Sequence, residues 1–350
     1  MMGTLSEIAK FSNGKRKSNR VGRIPVYGGN GIFDYTDEPN SNNCVIIGRV
    51  GAYCGSVHYE PFACWASDNA IRCEARPGSD IRFLYYLLKS LRLDHRQIGT
   101  SQPLLTQSIL NAIELDNIPN LKLQHSIASL LWSFDEKIKL NQQTNDYLVD
   151  LATALFEKAL DEETCLIPFG ELAELEDSKR IPLNKQDREK RKGPYPYYGA
   201  TSIMDYVDDY LFDDIRVLLG EDGSVMTDEG YPFLQYVWGK YWVNNHAHII
   251  KAKSDYSLEA LYLALRRTAI NHIVTGAVQM KISQKNLNGL ELQMPNLTTI
   301  PDFGPFFAMY RHNTDEAKRL AKLRDILLPK MMSGEIDVSK ISIHWEESFE

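Results

Sequence analysis

The residues in this chain best suited to chemistry are two clusters of cations, and the chemistry they suit is neutralisation of phosphate. Between Met1 and Ile24 six basic residues (Lys10, Lys15, Arg16, Lys17, Arg20, Arg23) stand against Glu7 alone. Between Asp177 and Pro194 there are seven (Lys179, Arg180, Lys185, Arg188, Lys190, Arg191, Lys192) against three acids. Each cluster lies just before a Tyr-Gly motif. A single charge run is usually a solvated face, but recurrence at one place in two copies of a repeat argues for a shared task. The net charge is −7, which argues against indiscriminate binding to polyanions. The distribution of lysine and arginine therefore carries the argument. Residues 204–230 are the reverse, with nine acids and only Arg216, and are expected to face away from any phosphate.

No catalytic constellation accompanies these clusters. There is no Gly-x-Gly-x-x-Gly opening a helix, no Walker loop, no Gly-x-Ser-x-Gly and no His-Glu-x-x-His. The Asn/Asp-Pro-Pro-Tyr/Phe motif of amino-group methyltransferases is also missing. His246 and His248, two apart, would share one face of a strand; a metal pair is conceivable there, and paired core or surface histidines are the plainer reading. Cys44, Cys54, Cys64 and Cys73 recur about every ten residues without a Cys-x-x-Cys pair. They read as reduced thiols in or beside strands rather than as a zinc site.

The elements that must position the cations are written twice. Residues 24–35, Ile-Pro-Val-Tyr-Gly-Gly-Asn-Gly-Ile-Phe-Asp-Tyr, return at 195–206 as Tyr-Pro-Tyr-Tyr-Gly-Ala-Thr-Ser-Ile-Met-Asp-Tyr. Gly48 and Gly51 match Gly220 and Gly223, Trp65 matches Trp242, and Tyr85 matches Tyr262. The Gly99 to Gln102 step matches Gly276 to Gln279, with Met280 standing where the first copy has Pro103. So long a period is not that of a solenoid, whose units run roughly 20–50 residues. It means two whole domains of one design. In each, strands with glycine turns lead to a short helix (Phe83–Leu88, Leu258–Leu265), a polar loop and a closing strand that ends near a proline.

Each copy precedes a long helical pattern. From about Leu123 to Leu160, apolar positions step by four and three through Ile127, Leu131, Phe134, Ile138, Leu148, Ala152, Leu155 and Ala159, which is a coiled-coil seam. Asn141 and Asn145 sit on it, either fixing register or marking a solvated stretch. A second, shorter seam begins after Pro305 and carries Phe306, Tyr310, Asn313, Ala317, Leu320, Leu323 and Leu327; Pro329 and Gly334 are expected to end it. The expected fold class is α+β: two similar mixed α/β domains separated by an antiparallel two-helix coiled coil. The expected divisions are domain 1 at 1–121, a central helix at 122–161, domain 2 at 162–299, a distal helix at 300–334 and a tail at 335–350. No apolar run is long enough to span a membrane, and no signal-peptide core opens the chain, so a cytoplasmic location is expected.

Taken in order, these features resemble the specificity subunits of type I restriction–modification enzymes over nearly the whole chain. The resemblance rests on the Tyr-Gly-x-x-Gly/Ser-Ile-x-Asp-Tyr signature at 27–35 and 198–206 and on the glycine runs from Gly51 to Val57 and from Gly220 to Val225. It also rests on the Gln102-Pro103-Leu104 loop and on the closing Leu-Arg-Asp-Ile-Leu-Leu-Pro-Lys-Met-Met-Ser-Gly-Glu-Ile-Asp at 323–337. It implies a non-catalytic chain whose two domains each read one half of a split double-stranded DNA target. The helices would hold the domains apart and dock two methyltransferase subunits, with motor–nuclease subunits joining for cleavage. S-adenosylmethionine, ATP and Mg²⁺ would belong to those partners, leaving no cofactor in this chain. On that basis Lys15, Arg16, Lys17, Arg20 and Arg23 are expected at one half-site, and Lys185, Arg188, Lys190, Arg191 and Lys192 at the other. Lys281 is a further DNA-binding candidate, and Ser101, Gln102 and Gln279, with Tyr27 and Tyr198, are candidates to reach base edges; glutamine can pair with adenine, although loop glycines and tyrosines also serve plain turns and cores. Leu130, Trp132, Tyr147 and Leu328 lie off the seams and are candidates for the subunit interface. The rival readings are a protein–protein scaffold on a coiled-coil spacer, and an enzyme with an unrecognised site among the cysteines at 44–73.

Overall fold

The structure is a computed structural model and describes residues 3–17, 20–99, 103–276 and 279–338. The chain divides into two compact units, Met1–Leu140 with Glu316–Glu350, and Asn141–Asp315. The sequence reading separated the long helices from the domains. In the structure half of each long helix belongs to each unit, because each half buries its seam in that unit's core.

In the first unit six strands form one sheet: β1 (Ala9–Asn13), β2 (Ile24–Gly28), β3 (Gly31–Thr36), β4 (Ser41–Gly48), β5 (Val57–Ala66) and β6 (Ala70–Ala75). Their order is β1-β6-β4-β5-β2-β3, so β3 is an edge. All neighbours are antiparallel except β2 and β5, which run parallel with Val26 opposite Trp65. The run Val45-Ile46-Ile47 is buried on both faces, as a continuous apolar strand must be. Helix α1 (Ile81–Ser90) starts where the Asp80 carboxylate caps the Phe83 N–H at 2.8 Å, and it lays Phe83, Leu84, Leu87 and Leu88 on the sheet.

The second unit repeats the plan with its sheet divided in two. Strands β7 (Ala173–Leu175), β11 (Arg216–Gly220), β12 (Leu234–Val237) and β14 (Ala247–Ala252) form one sheet, in the order β7-β14-β11-β12. Strands β8 (Lys192–Tyr198), β9 (Ile203–Val207), β10 (Phe212–Asp213) and β13 (Lys240–Val243) form the other, in the order β9-β8-β13-β10. Here β8 runs parallel to β13 with Tyr197 opposite Trp242, the same pairing as Val26 with Trp65. Helix α3 (Leu258–Arg266), capped by Ser257, matches α1.

Helix α2 (Leu121–Glu162) is 42 residues and helix α4 (Gly304–Met332) is 29. Within each unit their segments run antiparallel. In the first unit Lys137 pairs with Glu316 at 3.2 Å and Asp135 with Arg324, and Met331 joins Ile127 and Leu131 in the core. In the second, Phe156 meets Phe303 with ring centroids 6.0 Å apart. Asn141 and Asn145 are buried in the seam, not solvated. Asn141 donates to the Asn313 carbonyl at 3.3 Å, and Asn145 donates to the Tyr310 carbonyl at 3.1 Å and to Thr314 Oγ1 at 2.9 Å. Asn313 in turn donates to Asn145 Oδ1 at 3.0 Å. Leu323, expected on the seam, is exposed; Arg324 takes the inward place toward Asp135. Pro329 does not end α4, which runs on to Met332 because the last turn is held by buried Met331; the stop falls at Gly334, in the left-handed region at φ 78°.

Candidate nucleic-acid interface

In the first unit the basic segment crosses the end of the sheet. The Gly14 N–H donates to the Ala70 carbonyl at 2.9 Å and the Lys15 N–H to the Ala66 carbonyl at 3.0 Å. The Trp65 indole donates to the Lys15 carbonyl at 2.8 Å. A Cβ on Gly14 would stand 1.9 Å from the Ser67 carbonyl oxygen, so only glycine permits this close approach. The hairpin β2–β3 flanks the segment. Lys17 ion-pairs with Asp34 and donates to the Tyr35 carbonyl at 3.1 Å, and Arg20 ion-pairs with Glu38. Lys15, Arg16 and Arg23 are exposed and form no ion pair among the described residues.

The second unit rebuilds this arrangement from different residues. The Trp242 indole donates to the Ile181 carbonyl at 2.6 Å, as Trp65 does to Lys15. Arg188 and Lys192 both reach Asp205, at 3.3 and 2.5 Å. Arg191 reaches Asp208 at 2.9 Å and lies 4.9 Å over the Trp242 ring; Arg188 lies 5.3 Å over the Tyr197 ring. Lys185 and Lys190 are exposed, with no ion pair among the described residues. Asp34 and Asp205 hold the same place in the repeated motif. Hydrogen bonds from Lys17 and Lys192 respectively, and then from the backbone N–H of the next residue, hold both carboxyls below the ordinary range.

The acids at the start of the 204–230 run, expected to face away from any phosphate, are in contact with the second basic segment. The hairpin β8–β9 folds Asp205 opposite Tyr197, which brings Asp205, Asp208 and Asp209 onto the basic segment that precedes it. About half of the expected cations are therefore already paired within their own unit. Sequence reasoning missed Asp34 and Asp205 as the groups that hold these cations, although both stand in the repeat. It matched Trp65 with Trp242 but not their role as anchors of the basic segments.

The polar loops close the same way in both units. The Gly51 N–H donates to the Pro103 carbonyl at 3.1 Å and the Gly223 N–H to the Met280 carbonyl at 2.9 Å. Pro103 and Met280 are thus geometric equivalents, and Gly51 and Gly223 share positive φ, 76° and 80°. Ser101 and Gln102 lie outside the described residues. Gln279 is exposed, three residues after Gly276, whose φ is 89°. Lys281 is exposed and lies 3.4 Å from Glu221. Tyr27 is buried and donates to Glu60 at 2.8 Å; burial first, and then Glu60, push its phenol up. Tyr198 is half-buried, edge-on to Tyr241 at 5.8 Å, its phenol pushed up to about 12, chiefly by burial.

Among the described residues the one cluster with metal-ligand chemistry is Asp177, Glu221 and His248. Its donors are already engaged. Asp177 accepts from the Ile249 N–H at 2.9 Å and from Gln284 at 2.6 Å, and it meets His248 Nδ1 at 2.6 Å. Glu221 accepts from Arg180 at 2.5 Å. This is an ion-pair network that ties three segments together. His246 pairs separately with Asp222 and lies before β14, so the two histidines do not share a strand face. The four cysteines at 44–73 are buried thiols, with the sulfurs of Cys44 and Cys64 3.7 Å apart.

Of the interface candidates, Leu130, Trp132 and Leu328 are half-buried against the first unit's own core, and Trp132 packs edge-on to Tyr59 at 5.5 Å. Tyr147 is 74% exposed. Leu151 is exposed four residues after it, which puts the two along one stripe of α2 in the second unit. That stripe was legible as spacing but was not read from the sequence.

The family model described as type I restriction modification DNA specificity domain matches residues 1–148 and again 166–302. A putative type I restriction enzyme specificity subunit of Haemophilus influenzae is 32% identical over 131 residues, which is 37% of this chain and 33% of that protein. The specificity subunit of a type I restriction enzyme of Methanocaldococcus jannaschii is 22% identical over 312 residues, 76% of this chain and 71% of that protein. The H. influenzae match and one to an Escherichia coli specificity subunit thus span about a third of those relatives' length. The crystal structure of a type I restriction–modification system S subunit from M. genitalium aligns over 95% of both chains with TM-score 0.66 and 19% identity, which is a likeness of fold. With two matched segments, a duplicated fold and the long helix α2 between them, the chain belongs to the type I restriction modification DNA specificity domain family.

Proposed function

We propose that the chain is the non-catalytic sequence-recognition subunit of a type I restriction–modification complex. Each unit reads one half of a bipartite double-stranded DNA target. The observation that carries this reading is the duplicated basic segment. In both units a tryptophan indole holds its backbone against the parallel strand pair, and an aspartate of the neighbouring hairpin holds its cations. Two similar phosphate-facing surfaces in one chain suit a target with two halves. Most of these cations act on the DNA backbone, which positions the protein without reading sequence.

The antiparallel helix segments serve as the spacer between half-sites. The methyltransferase subunits dock on the stripe of Tyr147 and Leu151, because exposed apolar residues in line on a helix mark an interface. S-adenosylmethionine, ATP and Mg²⁺ are held by the methyltransferase and motor–nuclease partners. No helix among the described residues is long and apolar enough to cross a membrane.

The test is co-expression with type I methyltransferase subunits that co-purify with the chain, followed by genome-wide mapping of methylated adenines. The expected result is one motif made of two fixed half-sequences around a fixed number of unread base pairs. A complex that assembles but neither binds duplex DNA nor methylates such a motif would overturn the reading in favour of a protein scaffold.

A further inference from the structure

Both units leave the same sheet edge open. The edge strand β3 exposes Ile32, Phe33 and Tyr35, and the edge strand β9 exposes Ile203, Met204 and Tyr206. These six are matched pairs in the repeat, and each is between 37% and 62% exposed. Side chains alternate across a strand, so consecutive exposed residues mean that both faces of the edge meet solvent. Each edge strand belongs to a tight hairpin with a register shift at the same place, between Val26 and Tyr27 and between Tyr197 and Tyr198. Soluble proteins normally blunt an edge with charge or proline, because an open apolar edge invites pairing with another chain. Both domains keep this feature at matched positions of the repeat.

We propose that the hairpins β2–β3 and β8–β9 are the base-reading elements. In this assignment each is a two-stranded ribbon laid in the major groove, with the exposed trio of its edge strand against base edges and thymine methyl groups. The inference rests on the recognition function proposed above and names the residues that would perform it. The major groove admits a two-stranded ribbon, and its thymine methyls are the apolar features that Ile, Phe and Met side chains match. Charge complementarity selects DNA as the occupant. Lys17 is tied to the β2–β3 hairpin through Asp34, and Arg188 and Lys192 to the β8–β9 hairpin through Asp205. Exposed Lys15, Arg16 and Arg23 flank the first ribbon, and exposed Lys185 and Lys190 the second. A ribbon set between cations can enter a groove while the cations meet the phosphates beside it. The bulge re-aims side chains and adds local twist, as a ribbon following a groove requires.

The test uses the whole chain assembled with its methyltransferase subunits. One variant carries Ile32→Thr, Phe33→Ser and Tyr35→Ser; another carries Ile203→Thr, Met204→Ser and Tyr206→Ser. Methylated motifs are mapped, and affinities are measured for duplexes altered one base pair at a time. Each variant is expected to lose roughly ten-fold or more of its discrimination at one or more positions of one half-site. The other half-site and the salt dependence of binding should be kept. If both variants discriminate like the parent, the inference fails while the recognition function stands. A parent complex with no bipartite target defeats that function itself. Loss of a dimer on sizing columns with unchanged discrimination would assign the edge to self-pairing and also overturn the inference. Should a variant not fold, the parent complex cross-linked to a target carrying 5-iodouracil decides: adducts on Phe33, Tyr35, Met204 or Tyr206 support the assignment, and adducts only elsewhere refute it.

Discussion

The division of the cations into free and paired sets has a measurable consequence. In the first unit Lys15, Arg16 and Arg23 are exposed and form no ion pair among the described residues, whereas Lys17 and Arg20 already face Asp34 and Glu38. A lysine or arginine that neutralises a phosphate releases counterions, and each such contact adds about 0.9 to the slope of log affinity against log salt. Replacing Lys15, Arg16 and Arg23 together by alanine should flatten that slope by up to about 2.7. Between 50 and 200 mM salt this makes the loss of affinity about 40-fold smaller than for the parent. Lys17→Ala with Arg20→Ala should flatten it by much less per residue, because the neighbouring carboxylates already neutralise these cations. Instead it should weaken binding at every salt concentration, since it leaves Asp34 and Glu38 bare beside the phosphates. The assay is fluorescence anisotropy of a labelled target duplex titrated with the assembled methyltransferase complex at several salt concentrations. An equal slope change per residue in the two sets would show that the ion pairs open on binding, and the free-versus-paired argument would be wrong. No slope change in the first set would remove these residues from the DNA altogether.

Four further outcomes follow from the same geometry. Asn145→Ala leaves the buried Asn313 amide without its acceptor and should cost about 2 kcal/mol, whereas replacing Asn141, Asn145 and Asn313 together by leucine removes the three buried amides at once and should cost less but loosen register; hydrogen exchange at the amides of 304–315 checks both. Asp177 is buried, which by itself raises its carboxyl, but hydrogen bonds led by His248 outweigh that and hold it below its ordinary value of 3.8. Its contribution is therefore present above about pH 4 and lost as pH falls through the lower folded value, so Asp177→Asn should flatten the acid limb of thermal stability; an unchanged limb refutes the assignment. Tyr147→Asp with Leu151→Asp should abolish co-purification of the methyltransferase from a folded chain, and a retained stoichiometric complex removes the stripe as its dock. Seven residues inserted after Leu140 and seven after Asp315 keep both seams in phase and add about 10 Å; the methylated motif should keep its half-sequences and gain about three base pairs of spacer, and an unchanged spacer shows that another element sets the distance.

The sequence by itself determined what is local or repeated. The strand runs, the capped helices α1 and α3, and the seam through Ile127, Leu131, Ala152 and Ala159 could be read because backbone periodicity and apolar spacing are properties of neighbouring residues. The two-domain plan could be read because duplication shows twice what one copy shows weakly. The place of the cations could be read too, but not their state. Whether Lys17 meets solvent or Asp34 depends on a hairpin that brings residues seventeen positions apart together. The acidic run of 204–230 looked like a face turned away because its pairing with Arg188, Arg191 and Lys192 is also made by folding. Only the tertiary structure decided that Asn141 and Asn145 are buried, since a seam asparagine is dry only if its partner helix presents polar groups opposite it, here from Tyr310, Asn313 and Thr314. It alone decided that Trp132 is spent on its own unit while Tyr147 stays exposed. Both are aromatic residues off the seam of one helix, and what separates them is that Tyr59 lies against Trp132 whereas Tyr147 is left to solvent.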